Sequence, residues 1–583
     1  MNSDNKNMIL AVVLSAIVLF GWSFVSERYF PTANPPVTRI EKGREVATPQ
    51  PQASPAANAP AAIRDRAIVV RESPRVAIQT PRLAGSINLK GARVDDLVLT
   101  TYRETIAPNS PPIRLFSPAG TADAYFASFG WTGQGLAVPG PDTVWQASGG
   151  ALTPATPVTL SWNNGRGQIF QILLSVDQDY LFTVEQRILN RGAAAIAAQP
   201  FALVSRVGPS RDLSSWTNHT GPIGVFEGAA NYDVDFSNLD GAEPGLFARL
   251  FGTKAQAGPN YYDSTGGWVG FSDKYWLAAV IPDQNARVHA GFRSGGDHRY
   301  QADAIGQPVI VPPGRATRTT ARLFAGAKEM ALLRHYSRDL GIQRLDKAID
   351  WGWFEWFMRP IFSLLLWLYS IIGNFGVAIV CLTLIVRTLL FPIAQKQFRS
   401  MAAMRAIQPK MKAIQDRHAD DRMTMQQEVM KLYKEEKVNP AAGCLPIFLQ
   451  IPIFYALYKV LMVSVEMRHK PFVLWIRDLS APDPLTPVNL FGYLPFTPPH
   501  FLALGVLPIL LGVTMWLQMR LQPQAPDPVQ RQIFGLMPWV LMFVMANFAA
   551  GLQLYWVTNN ILTIAQQKWL YSRHPALKAQ ATP

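Results

Sequence analysis

The stretch NFGVAIVCLTLIVRTLLFP, Asn374 to Pro392, limits most what this chain can fold into. From Phe375 to Phe391 it is apolar except for one full charge, Arg387, one helical turn after Thr383. At about 1.5 Å per residue, such a helix barely crosses a hydrocarbon layer of roughly 30 Å. An arginine at mid-membrane carries an insertion penalty of about 2.5–3.5 kcal/mol. It therefore belongs in a protein-lined or watered interior, unless it snorkels to the headgroups. Thr383 and the polar residues of later apolar stretches favour a shared interior.

Polarity is unevenly spread over the 583 residues, so the 49% apolar content describes neither half of the chain. Residues 30–345 read as soluble and most of 351–570 as membrane. The net charge of +14 comes without a long Lys/Arg block. It suits membrane orientation better than nucleic-acid binding, and no specific nucleic-acid sequence is expected as a partner. The two cysteines, Cys381 and Cys444, both lie in apolar segments, so the polar half has no disulfide framework.

Met8 to Val25 is uncharged, with Lys6 before it and Glu27 and Arg28 after it. A cleaved signal peptide is the competing reading, but the run is long for one and no A-x-A-like site follows closely. We take residues 1–27 as a retained transmembrane anchor. Residues 28–62 form a Pro/Ala-rich linker, with seven prolines between Pro31 and Pro60, a composition that favours an extended tether.

Residues 63–327 show many short strands and frequent turn signals, which predicts a large antiparallel β-sandwich. Its clearest hairpin is Gln168–Val176, a turn at Asp177-Gln178-Asp179, then Tyr180–Leu189, with Phe182, Val184 and Ile188 on one face. Further strands are expected at 85–89, 94–100, 158–162, 201–207, 268–271, 275–281 and 317–324. His219, His289 and His298 have no metal-ligand spacing, and no nucleophile-and-base pair stands out. The chain is therefore read as a non-enzyme that needs no metal or cofactor, with the sandwich as scaffold or docking surface.

Residues 328–373 hold a helix from Lys328 to Leu340, closed by Gly341, and then the tryptophan-rich run Trp351–Ile372. Early charges and four tryptophans suit a helix lying in the headgroup layer, although a span fits its length. Residues 374–570 form a five-span core. Its polar insert, 395–438, carries ten Lys/Arg against six Asp/Glu. The stripes Met404, Ile407, Met411, Ile414 and Met425, Val429, Leu432 make that insert a helical hairpin, kinked near Pro409. Apolar stretches at 444–465, 501–517, 533–548 and 551–564 complete six transmembrane helices, the anchor included. The basic hairpin belongs in the cytoplasm. Both termini, including the basic tail 571–583, then fall there too. The sandwich lies on the other side, the periplasm of a bacterium with this protein in its inner membrane.

The last stretch places Gln553, Trp556, Asn560, Thr563 and Gln567 on one helical face, and the third span carries Gln450 between Pro446 and Pro452. With Thr383 and Arg387 these residues would line a hydrated cavity. Simple interhelical hydrogen bonding explains the amides equally well, at about 0.6 kcal/mol each. It explains an arginine without an intramembrane acid less well. An ion-coupled carrier commonly needs that acid, and a small-solute transporter predicts inverted repeats, of which we find none. A membrane-anchored carbohydrate-binding protein would rest on the sandwich alone.

The runs TLIVRTLLFPIAQKQFRSMAAMRAIQPKM, KLYKEEKVNPAAGCLPIFLQIPIFYALYKVL and AAGLQLYWVTNNILTIAQQ resemble the YidC family of bacterial membrane protein insertases over nearly all of residues 345–570. The order of anchor, large sandwich, interfacial helix and five-span core resembles its Gram-negative form. The resemblance implies a hydrophilic groove, open to cytoplasm and lipid and closed towards the periplasm. Arg387 matches the groove arginine, and Thr383 and Trp556 match its core polar and aromatic positions. Tyrosine is frequent where Trp556 stands, so that hydroxyl is missing here. Leu445, Pro446, Ile451, Pro452 and Phe454 match a hydrophobic slide, Leu445 being aliphatic where some members carry an aromatic ring. Implied partners are nascent membrane proteins, the ribosome, Sec translocon components and the lipid bilayer.

Overall fold

The computed structural model describes residues 40–41, 44–45, 63–210, 219–242, 257–352, 355–395, 403, 406–418, 421–436, 445–492, 494, 504–521 and 528–573. The expected anchor lies outside these residues. Of the linker, only Ile40–Glu41 and Arg44–Glu45 are described, and they pair with each other. The chain divides into two compact units, 1–353 and 354–583.

The first unit is an antiparallel β-sandwich, with sheets of nine and ten strands among the described residues. The hairpin Gln168–Val176/Leu181–Asn190 sits inside the nine-stranded sheet, between Val158–Asn163 and Ala316–Ala327. Its turn is made by Asp177, whose carboxylate accepts from the amides of Asp179 (2.9 Å) and Leu181 (3.0 Å). Alternation decides which face is buried: Phe182, Val184 and Ile188 point inward. Gln186 shares that inward face, and its amide nitrogen donates to the Gly130 carbonyl at 2.6 Å, tying the two sheets together.

The ten-stranded sheet is built around Ile196–Val207, flanked by Tyr125–Thr132 and Arg299–Gly306. The expected strands at 85–89, 94–100, 158–162, 201–207, 268–271, 275–281 and 317–324 are present, the second, fourth and last of them longer by four or five residues and the others within two residues at each end. Gly326 is fixed by packing, because a Cβ there would meet the Tyr180 ring at 2.2 Å. Helix α1, Met330–Asp339, ends before Gly341 at φ +65°.

The second unit is helical: α2 Glu355–Ile372, α3 Phe375–Leu389, α4 Gln408–Arg417, α5 Arg422–Glu435, α6 Leu445–Val463, α7 Val506–Arg520, α8 Pro528–Met545 and α9 Ala550–Arg573. Its exterior is the reverse of a soluble domain. Ile533, Leu536, Val540, Phe543 and Val544 are exposed along α8, while Gln553, Asn559, Asn560, Thr563 and Gln567 of α9 are buried.

Pro409 stands in the first turn of α4, where its missing N–H costs nothing, and Ile407 just before it has helical backbone angles and donates to the Ala403 carbonyl at 3.3 Å. The last helix extends past the apolar stretch 551–564 to Arg573 and carries Gln567, as its place on the polar face required. Among the described residues only α2 is long and apolar enough to count as a span, so length does not support the six-span count. Helix α3, at 15 residues, reaches about 22 Å against a layer of roughly 30 Å. Length and composition equally let α2 cross the membrane, where its tryptophans suggested the interface.

Candidate functional site: a polar seam around Arg387

The site is framed by the loop between α6 and α7, which holds the starts of three helices. Asn374 caps α3 by accepting from Val377 N at 3.1 Å, and its amide donates to the Phe472 carbonyl at 2.8 Å. The first amides of α9 are taken by that loop, Ala550 N by Ala481 O (2.7 Å) and Gly551 N by Leu479 O (2.9 Å). Asp483 serves α7, accepting from Leu507 N at 2.7 Å and from the Trp475 indole at 2.9 Å. Orphan donors that a membrane could not satisfy are therefore paired within the chain.

Helix α9 packs against α3, α6 and α7. From α3, Arg387 reaches across to it: Nε donates to Asn559 Oδ1 (2.8 Å), and Nη2 to Thr563 Oγ1 (2.5 Å) and the Asn559 carbonyl (3.4 Å). Among the described residues no carboxylate pairs with Arg387. Thr383, one turn earlier and 1% exposed, returns its hydroxyl to the Ile379 carbonyl at 2.7 Å.

Asn560 donates to Thr514 Oγ1 of α7 at 3.2 Å, and so braces the opposite flank of α9. Gln553 gives its amide nitrogen to Met545 O and Phe548 O, both at 2.8 Å, and thereby closes the turn between α8 and α9. Trp556 meets Phe454 of α6 with ring centroids 4.7 Å apart, which joins α9 to α6 beside the seam. Ile451 on α6 points outward, 57% exposed. Pro452 lies within α6, and the side chains of Leu445, Pro446 and Gln450 fall outside the described residues.

The structure thus brings Arg387 and Thr563 together, and sets Trp556 against Phe454. Gln553 and Asn560 bond to α8 and α7 rather than to the arginine. Sequence reasoning missed Asn559, the principal partner, although its spacing of three from Trp556 and four from Thr563 is a helical-face signal. It also missed Lys459, 1% exposed within α6.

The hairpin of α4 and α5 closes over Ile407, Met411 and Leu432, with Ile414 and Val429 packed beside them. Met423 and Met430 stay exposed on its other side. The described part of the sandwich includes an open cavity of about 350 Å³ that the sequence did not signal, lined in part by Arg93, Ser128, Trp131, Thr132, Trp145 and Phe201. Among the described residues, no cluster of His, Cys, Asp and Glu is placed to hold a metal.

The family model for the 60Kd inner membrane protein matches residues 367–577, and that for the YidC periplasmic domain matches 75–364. The membrane protein insertase YidC of Zymomonas mobilis is 48% identical over 98% of this chain and 96% of its own length. That of Bradyrhizobium diazoefficiens is 43% identical over 98% and 97%. A crystal structure of an active YidC insertase aligns over 96% of this chain and 99% of its own, at 17% identity and a TM-score of 0.36. Two family models that together take in nearly everything after the linker, and relatives this similar from end to end, make the chain a member of the YidC membrane protein insertase family.

Proposed function

We propose that the chain inserts and folds nascent membrane proteins in the bacterial inner membrane, with the α3–α9 seam as the hydrophilic groove that receives the client. The observation that carries this reading is Arg387, a half-buried guanidinium held, among the described residues, by neutral oxygens of α9. Its charge cannot be shed by losing a proton, so water follows it into the bundle and lowers the barrier for a polar tail. A client's acidic residues supply the counter-charge that the seam omits.

The groove set is Arg387, Thr383, Gln450, Gln553, Trp556, Asn560 and Thr563. Leu445, Pro446, Ile451, Pro452 and Phe454 form the apolar path for the client helix, joined to the groove where Trp556 meets Phe454. The cytoplasmic hairpin 395–438 presents the exposed Met423 and Met430, an adaptable apolar surface for an emerging segment. Ribosome and Sec translocon are the partners of this cycle. Both termini are cytoplasmic and the sandwich is periplasmic, and α2 lies at the periplasmic interface.

Photo-crosslinking tests this reading, with the reactive side chain at position 387 or 454 and a ribosome-held client of increasing length. Position 454 should capture the apolar span and position 387 the polar residues flanking it. Absence of client adducts at both positions, with adducts elsewhere in the same assay, would overturn it.

A further inference from the structure

The guanidinium of Arg387 has two edges, and its surroundings treat them differently. The edge formed by Nε and Nη2 is turned to α9, where both nitrogens donate to Asn559 and Nη2 also reaches Thr563. Nη1 has no hydrogen-bond partner among the described residues, and Arg387 as a whole is only half-buried. Asn559 itself is only 5% exposed, and it offers both its side-chain and its backbone oxygen to the same cation.

The residue type matters as much as the contact. An aspartate at 559 would have the same shape and accept the same bond, but it would complete an ion pair and neutralise the arginine internally. A leucine would leave a buried N–H of the arginine unsatisfied. Asparagine holds the edge and leaves the charge intact. We propose that Asn559 is a positioning residue that sets the charge selectivity of Arg387. It fixes the Nε–Nη2 edge with neutral oxygens, and turns Nη1 towards an incoming carboxylate of the client's translocated tail. This rests on the reading of Arg387 as the client-facing charge. A lipid phosphate offers similar oxyanion chemistry, so lipid composition is held fixed while the number of tail carboxylates varies.

The test uses the full-length protein in vesicles of phosphatidylethanolamine and phosphatidylglycerol at one ratio. One single-span client carries zero, one or two aspartates in its tail, and the thermal stability of each variant is measured alongside. Asn559→Asp should reduce insertion of the two-acid tail about tenfold more than that of the uncharged tail. A residue that only tied α3 to α9 would keep its tie as aspartate, and insertion of all three tails would stay as in the wild type. That outcome, or equal loss for every tail, overturns the proposal. Should Asn559→Asp fail to accumulate, Asn559→Ala decides: the advantage of acidic tails should shrink towards that of Arg387→Ala, and an undiminished advantage overturns the proposal. Arg387→Ala also separates the two readings. If it inserts every tail as the wild type does, the client-facing role of Arg387 falls. If its loss is greatest for acidic tails and that of Asn559→Asp is not, only the role of Asn559 falls.

Discussion

Arg206 in the sandwich is buried and Arg387 in the helical unit is half-buried, and their surroundings treat the charge in opposite ways. Arg206 is closed on every side: Nη1 pairs with Asp273 at 3.1 Å, Nε and Nη2 donate to the Gly208 and Pro209 carbonyls, and the Tyr125 ring lies 4.9 Å from the guanidinium carbon. Arg387 has neutral partners on one edge and none on Nη1 among the described residues. A buried charge that is fully paired serves the fold, since losing its partner is costly and nothing from outside can reach it. A charge held in place without being neutralised is what the proposed client-receiving role of Arg387 requires. The same reversal holds for apolar residues, with Trp268 and Phe324 sealed in the sandwich and Phe543 of α8 half exposed.

Removing the sandwich's own counter-charge should give the largest effect. Asp273→Asn leaves Arg206 buried without its carboxylate, and should destabilise the sandwich by about 3–5 kcal/mol. Hydrogen exchange on the full chain reads this as faster exchange in Tyr125–Thr132 and Ile196–Val207. A cost below about 1 kcal/mol would mean that carbonyls and rings suffice, and the contrast with Arg387 would lose its basis.

A smaller effect concerns a sandwich carboxylate that is not fully compensated. Asp303 is fully buried, accepting from the Tyr261 hydroxyl and the Gln301 amide, each at 3.0 Å. Burial pushes its carboxyl above the ordinary value of 3.8, with Arg293 opposing. A raised folded-state value stabilises below the unfolded value, and that contribution is lost as pH rises through the folded one. The stability of wild type relative to Asp303→Asn should therefore be highest in acid and fall as the pH rises towards neutrality. Thermal unfolding of both proteins across that range checks it, and a flat difference would show that the hydrogen bonds offset the burial completely.

How much was legible in the sequence differed between the regions for a physical reason. The hairpin at 168–190 was readable because one face is buried and one is not, which writes a period of two into the chain. Tyr125–Thr132 was not, since nearly every one of its residues is buried and no alternation remains. In the helical unit, apolar runs marked the helices and Arg387 stood out by its charge alone. Its partner did not stand out, because Asn559 and Asn560 are adjacent and point about 100° apart around α9. Only the packing of α3 and α7 on either side decides that Asn559 meets Arg387 while Asn560 meets Thr514. Lys459 was passed over because it sits inside a run that reads as apolar on average.

The most direct test of the central claim is insertion of one single-span client with zero, one or two acidic residues in its tail, by wild type, Arg387→Lys and Arg387→Ala. Unit charges about 4 Å apart attract by about 4 kcal/mol at an effective dielectric of 20, against about 1 in bulk water. The lysine variant should keep much of the wild-type activity because the charge persists. The alanine variant should fail most for the two-acid tail and least for the uncharged one. Equal loss across all three tails would contradict an arginine kept unneutralised for its client, and would leave only its part in holding water within the bundle.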